Sequence, residues 1–195
     1  MADHVGLSAA SATVADMNRY AALLRGIMPS NPNMRNDKLR GVFEGLGFDK
    51  VATLLSSGNV VFHCDETDEP ALEDRIQEAL NRELGIPGGT IVRGYEDLRE
   101  LVDRDPFTGL KHERGSYLTV TFFKDQRPEV TPPASVDELT RVIGYDESAR
   151  AFLTVIDNST PKTTDFMAWL DRTYGKDITT RTFLTVQKIV KKLDT

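Results

Sequence analysis

Cysteine is almost missing from this chain. Cys64 stands alone, so no internal disulfide can form, and the expected setting is a reducing cytoplasm. No apolar run approaches the length that spans a bilayer. Met1–Met17 carries Asp3 and Asp16 without a basic start or an apolar core, so no signal peptide is expected there. Residues 1–17 read as a loose Ala/Ser/Thr-rich leader, with Met17 an alternative start. No Cys-x-x-Cys, His-Glu-x-x-His or Asp-rich calcium loop occurs, so no metal or other cofactor is expected. Gly85-Ile-Pro-Gly-Gly89 lacks the Lys-Ser/Thr of a phosphate loop and precedes a strand rather than a helix. The formal net charge of −6 argues against wrapping nucleic acid. Val60–His63 also lacks the aromatic ladder of an RNA-recognition sheet.

What is present is a mixed pattern with 39% hydrophobic residues, compatible with a globular protein. The chain is organised around Val51–Phe62, two short apolar runs flanking Ser56-Ser57-Gly58-Asn59. Gly58 accepts positive φ and Asn59 tolerates it, so the stretch predicts a β-hairpin. Arg19–Arg25 reads as a buried strand ending at Gly26. Leu39, Val42, Phe43 and Leu46 form a helical stripe, with Asn36 as N-cap and Gly47 as stop. The acidic stretch 65–83 holds a second helix, starting near Asp68 and Pro70 with its acids on a solvated face. Thr90–Arg93 is a further strand. Residues 18–94 thus read β-α-β-β-α-β, the ferredoxin-like split pattern.

Residues 95–195 read as a second, less regular α+β subdomain packed on the first. Its expected elements are a helix over Tyr95–Asp103, a strand over Ser116–Phe123 and a stiff loop at Pro128, Pro132 and Pro133. A short helix over Val136–Ile143, a strand over Ala151–Ile156 and a helix over Thr163–Tyr174 follow. A last helix comes after Thr179-Thr-Arg-Thr182, with Val186, Ile189, Val190 and Leu193 inward. Lys188, Lys191 and Lys192 complement its negative end.

Topology adds one inference. The first strand and the strand entering the hairpin should run parallel and finish at one sheet edge. That edge would gather Arg25, Gly26, Ser57, Gly58 and Asn59, a set of donors suited to a carboxylate or phosphate. Thr180 and Arg181, before the last helix, could add an anion site at its N-terminus. A second account needs no ligand: Asn59 closes its own turn, Arg25 pairs with a surface acid and a Thr caps the helix. His63 and Cys64 are adjacent on a strand and so face opposite ways. A ligand-free alternative for the whole chain is an interaction module, a homodimer through a sheet face or edge, with Ser116–Phe123 as the adhesive strand if exposed.

Leu23-Leu-Arg-Gly-Ile27, Leu46-Gly-Phe48, Val51-Ala-Thr53, Ser57-Gly-Asn-Val-Val-Phe62, Asp105-Pro-Phe107 and Thr179-Thr-Arg181 occur in an order that resembles the uncharacterised bacterial family called domain of unknown function 1697. The resemblance implies an α+β fold with a ferredoxin-like first half and no established activity. The chain departs from the family pattern at Ile27-Met-Pro-Ser-Asn31, where members resemble Ile-Asn-Val-Gly-Gly. It departs again at Thr182-Phe183, where they resemble Asn-Trp. Arg25, Gly26, Ser57, Gly58, Asn59, Thr180 and Arg181 carry over; the family's Asn, glycines and Trp do not.

Overall fold

The computed structural model describes residues 17–124 and 136–195. The expected leader, apart from Met17, and the proline loop at 128–133 lie outside the described residues. The elements are β1 (Asn18–Leu24), α1 (Asn36–Gly45), β2 (Asp49–Leu54), β3 (Asn59–Cys64), α2 (Glu69–Leu84), β4 (Thr90–Gly94) and α3 (Tyr95–Asp103). They continue as β5 (Tyr117–Phe123), β6 (Thr140–Asp146), β7 (Ala151–Ile156), α4 (Phe166–Tyr174), β8 (Ile178–Thr182) and α5 (Phe183–Leu193). Among the described residues no helix is long and apolar enough to cross a membrane.

Two antiparallel four-stranded sheets carry the architecture, ordered β2-β3-β1-β4 and β6-β7-β5-β8. The first has the ferredoxin-like order expected from its βαββαβ sequence. β1 and β2 do run in the same direction, but they are not neighbours: β3 lies between them and pairs antiparallel with both. The side-chain alternation of β1 divides its residues between two cores. Tyr20, Ala22 and Leu24 face α1 and α2, while Ala21 and Leu23 face the second sheet. That central core takes Leu118, Val120 and Phe122 from β5, Leu98 and Leu101 from α3, and Val186, Ile189 and Leu193 from α5. A third core, around Phe123, Phe152, Phe166, Leu170 and Ile178, lies on the α4 side of the second sheet.

Local signals account for most boundaries. The Asp68 side chain accepts from the Ala71 N–H and Gly85 closes α2 at φ +65°. Thr182 caps α5 by accepting from the Thr185 N–H. Three expectations fail. Asn36 does not cap α1 but lies inside it, its Nδ2 donating to Leu55 O. In the hairpin the positive φ falls on Leu55 (58°) and Gly58 (76°), and Asn59 belongs to β3. Val136–Ile143 is not a helix: 136–139 is turn, and Thr140 opens β6. The apolar spacing there mimics a helix, but Thr140, Val142 and Tyr145 suit a strand, and β6 pairs with β7 through a bulge after Val142.

The second half is more regular than its sequence suggests. Leu24 N donates to Gly58 O at 2.8 Å, and Phe123 N to Arg150 O at 2.9 Å. Arg25 N donates to Gly89 O at 2.9 Å, and Lys124 N to Asp177 O at 2.8 Å. Strand order and register therefore correspond between halves, Leu24 to Phe123, Gly58 to Arg150 and Arg93 to Arg181. β5 is consequently a central strand with both edges paired, so it cannot be the adhesive strand of a dimer.

Gly88 lies against the end of β1, where a Cβ would stand 2.2 Å from Arg25 O. Backbone cannot yield as a flexible side chain can, so Gly88→Ala should lower stability by about 1–3 kcal/mol. Urea unfolding of the variant checks this; an unchanged midpoint contradicts the packing described.

Candidate functional site

Thr179–Thr182 reads from sequence as the approach to the last helix. It is instead the edge strand β8, with Arg181 fourth in it. The Arg181 side chain leaves its own sheet and ends on the first one. Nε donates to Asn59 Oδ1 at 2.6 Å, and Nη2 to Leu24 O at 2.8 Å and to Ser57 O and Gly58 O at 3.3 Å. Nη1 donates to Thr179 Oγ1 at 2.8 Å and Thr180 O at 2.9 Å. All five guanidinium N–H groups are thereby engaged. Arg181 is 9% exposed, and burial pulls its pKa down to about 10.

The other expected residues gather here. Asn59 is held by Nδ2 donating to Leu54 O at 3.1 Å and to Ser57 Oγ at 3.0 Å, so it closes its own turn while accepting from Arg181. Arg25 projects on the same side of the sheet: Nη1 donates to Ile178 O at 2.9 Å and Nη2 pairs with Asp171 Oδ1 at 2.8 Å. Gly26 takes φ +73° just beyond β1. Gly58 lies under Ile27, where a Cβ would meet Ile27 Cγ1 at 2.5 Å. These residues border an open cleft of about 370 Å³ lined by Leu24, Arg25, Gly26, Ile27, Ser57, Met167, Asp171 and Ile178 to Arg181. The unremarkable contacts (the closed turn, the surface acid on Arg25, the capping Thr182) are thus present together with the cleft.

The matching place in the other half differs in charge. Arg93, fully buried, donates through Nε to Ala149 O at 2.8 Å and through Nη2 to Phe123 O, the counterparts of Ser57 and Leu24. Lys124 pairs with Asp74 of α2 at 3.0 Å, as Arg25 pairs with Asp171 of α4. Here, however, Glu73 stands 3.6 Å from Arg93 Nη1, and Arg150 pairs with Glu69. Both acids were expected on a solvated face; both turn inward. Glu73 is 1% exposed, and burial lifts its pKa to about 7 despite the Val92 N–H and Arg93. Among the described residues the cations Arg93, Lys124 and Arg150 have Glu73, Asp74 and Glu69 as their acidic partners. Among the described residues that line the cleft, Asp171 is the one acid beside Arg25 and Arg181, and α4 presents buried Phe166 and Leu170 where α2 presents the two glutamates. Burial pulls both guanidinium pKa values down to about 10; Arg93 is lowered further by neighbouring Arg150, which Glu69 and Glu73 offset, whereas Arg181 is lowered by burial.

A larger cleft of about 560 Å³, not anticipated from the sequence, lies at the opposite end of the first sheet. Arg19, Lys50, His63, Tyr95, Asp97 and Asp194 are among its lining residues. Arg19 lies 3.6 Å over the Tyr95 ring and pairs with Glu96. His63 keeps a buried Nδ1 without a partner, and burial, then Lys50 and Arg19, lower its pKa. Cys64 faces the other core, away from it. Acids Glu69, Glu96, Asp97 and Asp194 outnumber Arg19 and Lys50, so this cleft carries no cation excess. No group of three or more His, Cys, Asp or Glu among the described residues is placed to hold a metal ion.

A family model described as "Protein of unknown function (DUF1697)" matches residues 17–153. The chain belongs to this family. The match includes Arg25 and Ser57–Asn59 and stops before Thr180 and Arg181. A solved structure of the conserved bacterial protein SP0830 from Streptococcus pneumoniae is similar in fold, with a TM-score of 0.71 and 19% sequence identity, covering 92% of this chain and 99% of that one. No curated protein matches the chain.

Removing the Arg181 side chain leaves Leu24 O and Asn59 Oδ1 unsatisfied between the sheets. Arg181→Ala should therefore cost roughly 3 kcal/mol or more, and Arg181→Lys, with no planar fork, should recover little of it. Chemical denaturation of both variants checks this; a loss below 1 kcal/mol for Arg181→Ala contradicts it, at roughly the value of one ordinary hydrogen bond. Glu73 supplies a pH test. Its folded pKa of about 7 exceeds the ordinary 4.5, so the folded state holds the proton more tightly. Its contribution is fully favourable below pH 4.5 and is lost as pH rises to about 7. Glu73→Gln should flatten the stability profile across that window, as read from unfolding midpoints at each pH.

Proposed function

We propose that the protein binds a small anionic ligand, phosphate- or carboxylate-bearing, in the cleft between Arg25, Ser57 and β8. The observation that carries this reading is the unbalanced Arg181 charge. Its counterpart Arg93 is paired with an internal glutamate; among the described residues Arg181 is paired with none, and it lines an open cleft beside a second guanidinium. A buried cation in low dielectric gains strongly from a nearby opposite charge.

Arg181 has no N–H to spare, so it acts on the ligand through its field. Direct contact falls to Arg25, whose pairing with half-exposed Asp171 is the kind of surface ion pair worth about 0–1 kcal/mol and readily exchanged. Exposed Ser57 adds a hydroxyl. Binding is the activity these groups support. Among the described residues Asp171 is the one carboxylate in the cleft lining, and His63 lies at the far end of the sheet.

Calorimetric titration with inorganic phosphate and with citrate tests the proposal. Wild type should bind at least one of them, with affinity falling as salt is raised. Arg25→Ala should weaken binding roughly tenfold or more, the loss of one charge-assisted contact. Asp171→Asn should strengthen it by freeing Arg25. Absence of binding by wild type, or indifference to both substitutions, overturns the reading.

A further inference from the structure

We infer that the charged group taken by the cleft is a carboxylate, seated on the free edge of β8 at the Thr180 N–H as the Glu73 carboxylate is seated on the edge of β4. The inference rests on the anion-binding reading and narrows it.

The two edges can be compared bond by bond. Arg25 N donates to Gly89 O, which sets the β1–β4 ladder on residues 89, 91 and 93. The Val92 N–H therefore points outward from the sheet. There it meets Glu73 Oε1 at 2.9 Å, and the same oxygen stands 3.6 Å from Arg93 Nη1. Lys124 N donates to Asp177 O, which sets the β5–β8 ladder on residues 177, 179 and 181. The Thr180 N–H therefore points outward too, on the edge of β8 that pairs with no other strand among the described residues. Thr180 lines the cleft, and the flanking Arg181 Nη1 curls back to Thr180 O at 2.9 Å, as Arg93 Nη1 does to Val92 O. The donor and the guanidinium are in place; the carboxylate is what α4 does not supply, because Leu170 stands where α2 has Glu73.

The charge count favours a single carboxylate over a phosphate. Arg25 and Arg181 exceed Asp171 by one positive charge, which one carboxylate neutralises. A phosphate ester brings up to two charges and three oxygens to be satisfied, and Arg181, fully engaged, offers none of them a bond. One edge N–H with Arg25 alongside suits two carboxylate oxygens. Beside the polar groups, Ile27 and Met167, the latter 39% exposed, give the ligand's body an apolar wall. A small carboxylic acid with a short apolar body, such as an N-acylated amino acid, matches this chemistry.

The test uses the intact wild-type chain, titrated in parallel with N-acetylleucine, acetate and inorganic phosphate. Calorimetry gives the affinity, and the amide resonances of Thr180 and Val92 report the seat. The expected result is binding of N-acetylleucine at least tenfold tighter than phosphate, with a saturable shift at Thr180 and none at Val92. Phosphate binding as tightly as the carboxylates overturns the inference and leaves the anion-binding reading standing. Carboxylate binding with a stationary Thr180 amide overturns the seat. Failure of all three probes to bind removes both readings.

Discussion

Two arginines, each fourth in a short edge strand, cross between the sheets and end on carbonyl oxygens of the opposite half. Arg93 leaves β4 for Phe123 O and Ala149 O; Arg181 leaves β8 for Leu24 O and the hairpin turn at Ser57–Asn59. A guanidinium suits this because its donors are fixed in a plane and can satisfy several carbonyls at once. The arrangement ties together two sheets that share an apolar core built from both halves, and it satisfies strand-end carbonyls that would otherwise be buried without a donor. Asn59 serves both purposes, holding its own turn and accepting from Arg181.

The correspondence makes the differences between halves informative. One junction has internal acids beside its cations: Glu69 and Glu73 of α2 both turn inward to Arg150 and Arg93. The other keeps the arginine and the helix acid that holds the strand-end cation, but has Phe166 and Leu170 in place of the glutamates. A protein whose only need was to join its halves has, at the first junction, a complete solution. Leaving the second junction one charge short, beside an accessible cleft, is the feature a ligand-binding reading accounts for. The donors that the sequence drew together on local grounds thus divide into two kinds. Asn59, Gly58 and Arg181 build the junction, while Arg25, Ser57 and the edge of Thr180 remain accessible from the cleft.

Much of this was legible from residues. Periodicity located α1, α2 and α3, and β-branched and aromatic runs located β5 and β7. The direction of the first two strands placed Arg25 and the hairpin turn at one rim. What could not be read depended on long-range pairing. β8 is five residues with three threonines, and nothing local separates it from a capped loop; only its partner β5 makes it a strand. The inward course of Glu69 and Glu73 was hidden because α2 is acidic on both sides, and burial there is decided by Arg93 and Arg150 from other elements. The correspondence of the halves was invisible for a similar reason. Register and strand order are shared, but at the junction positions few residues are, Arg93 with Arg181 and Asp74 with Asp171 being the identical pairs. Val136–Ile143 shows the opposite failure, helical spacing overridden by pairing with β7.

The most direct test of the central claim is to follow the side-chain Nε–H resonances of Arg93 and Arg181 by nitrogen-15 NMR while acetate is added to the intact protein. Both groups are buried and held by carbonyl oxygens, so both should be observable. The account predicts a saturable shift of the Arg181 resonance, whose charge lacks an internal partner, and a stationary Arg93 resonance, whose charge Glu73 already meets. Equal movement of the two, or movement of neither, would contradict it.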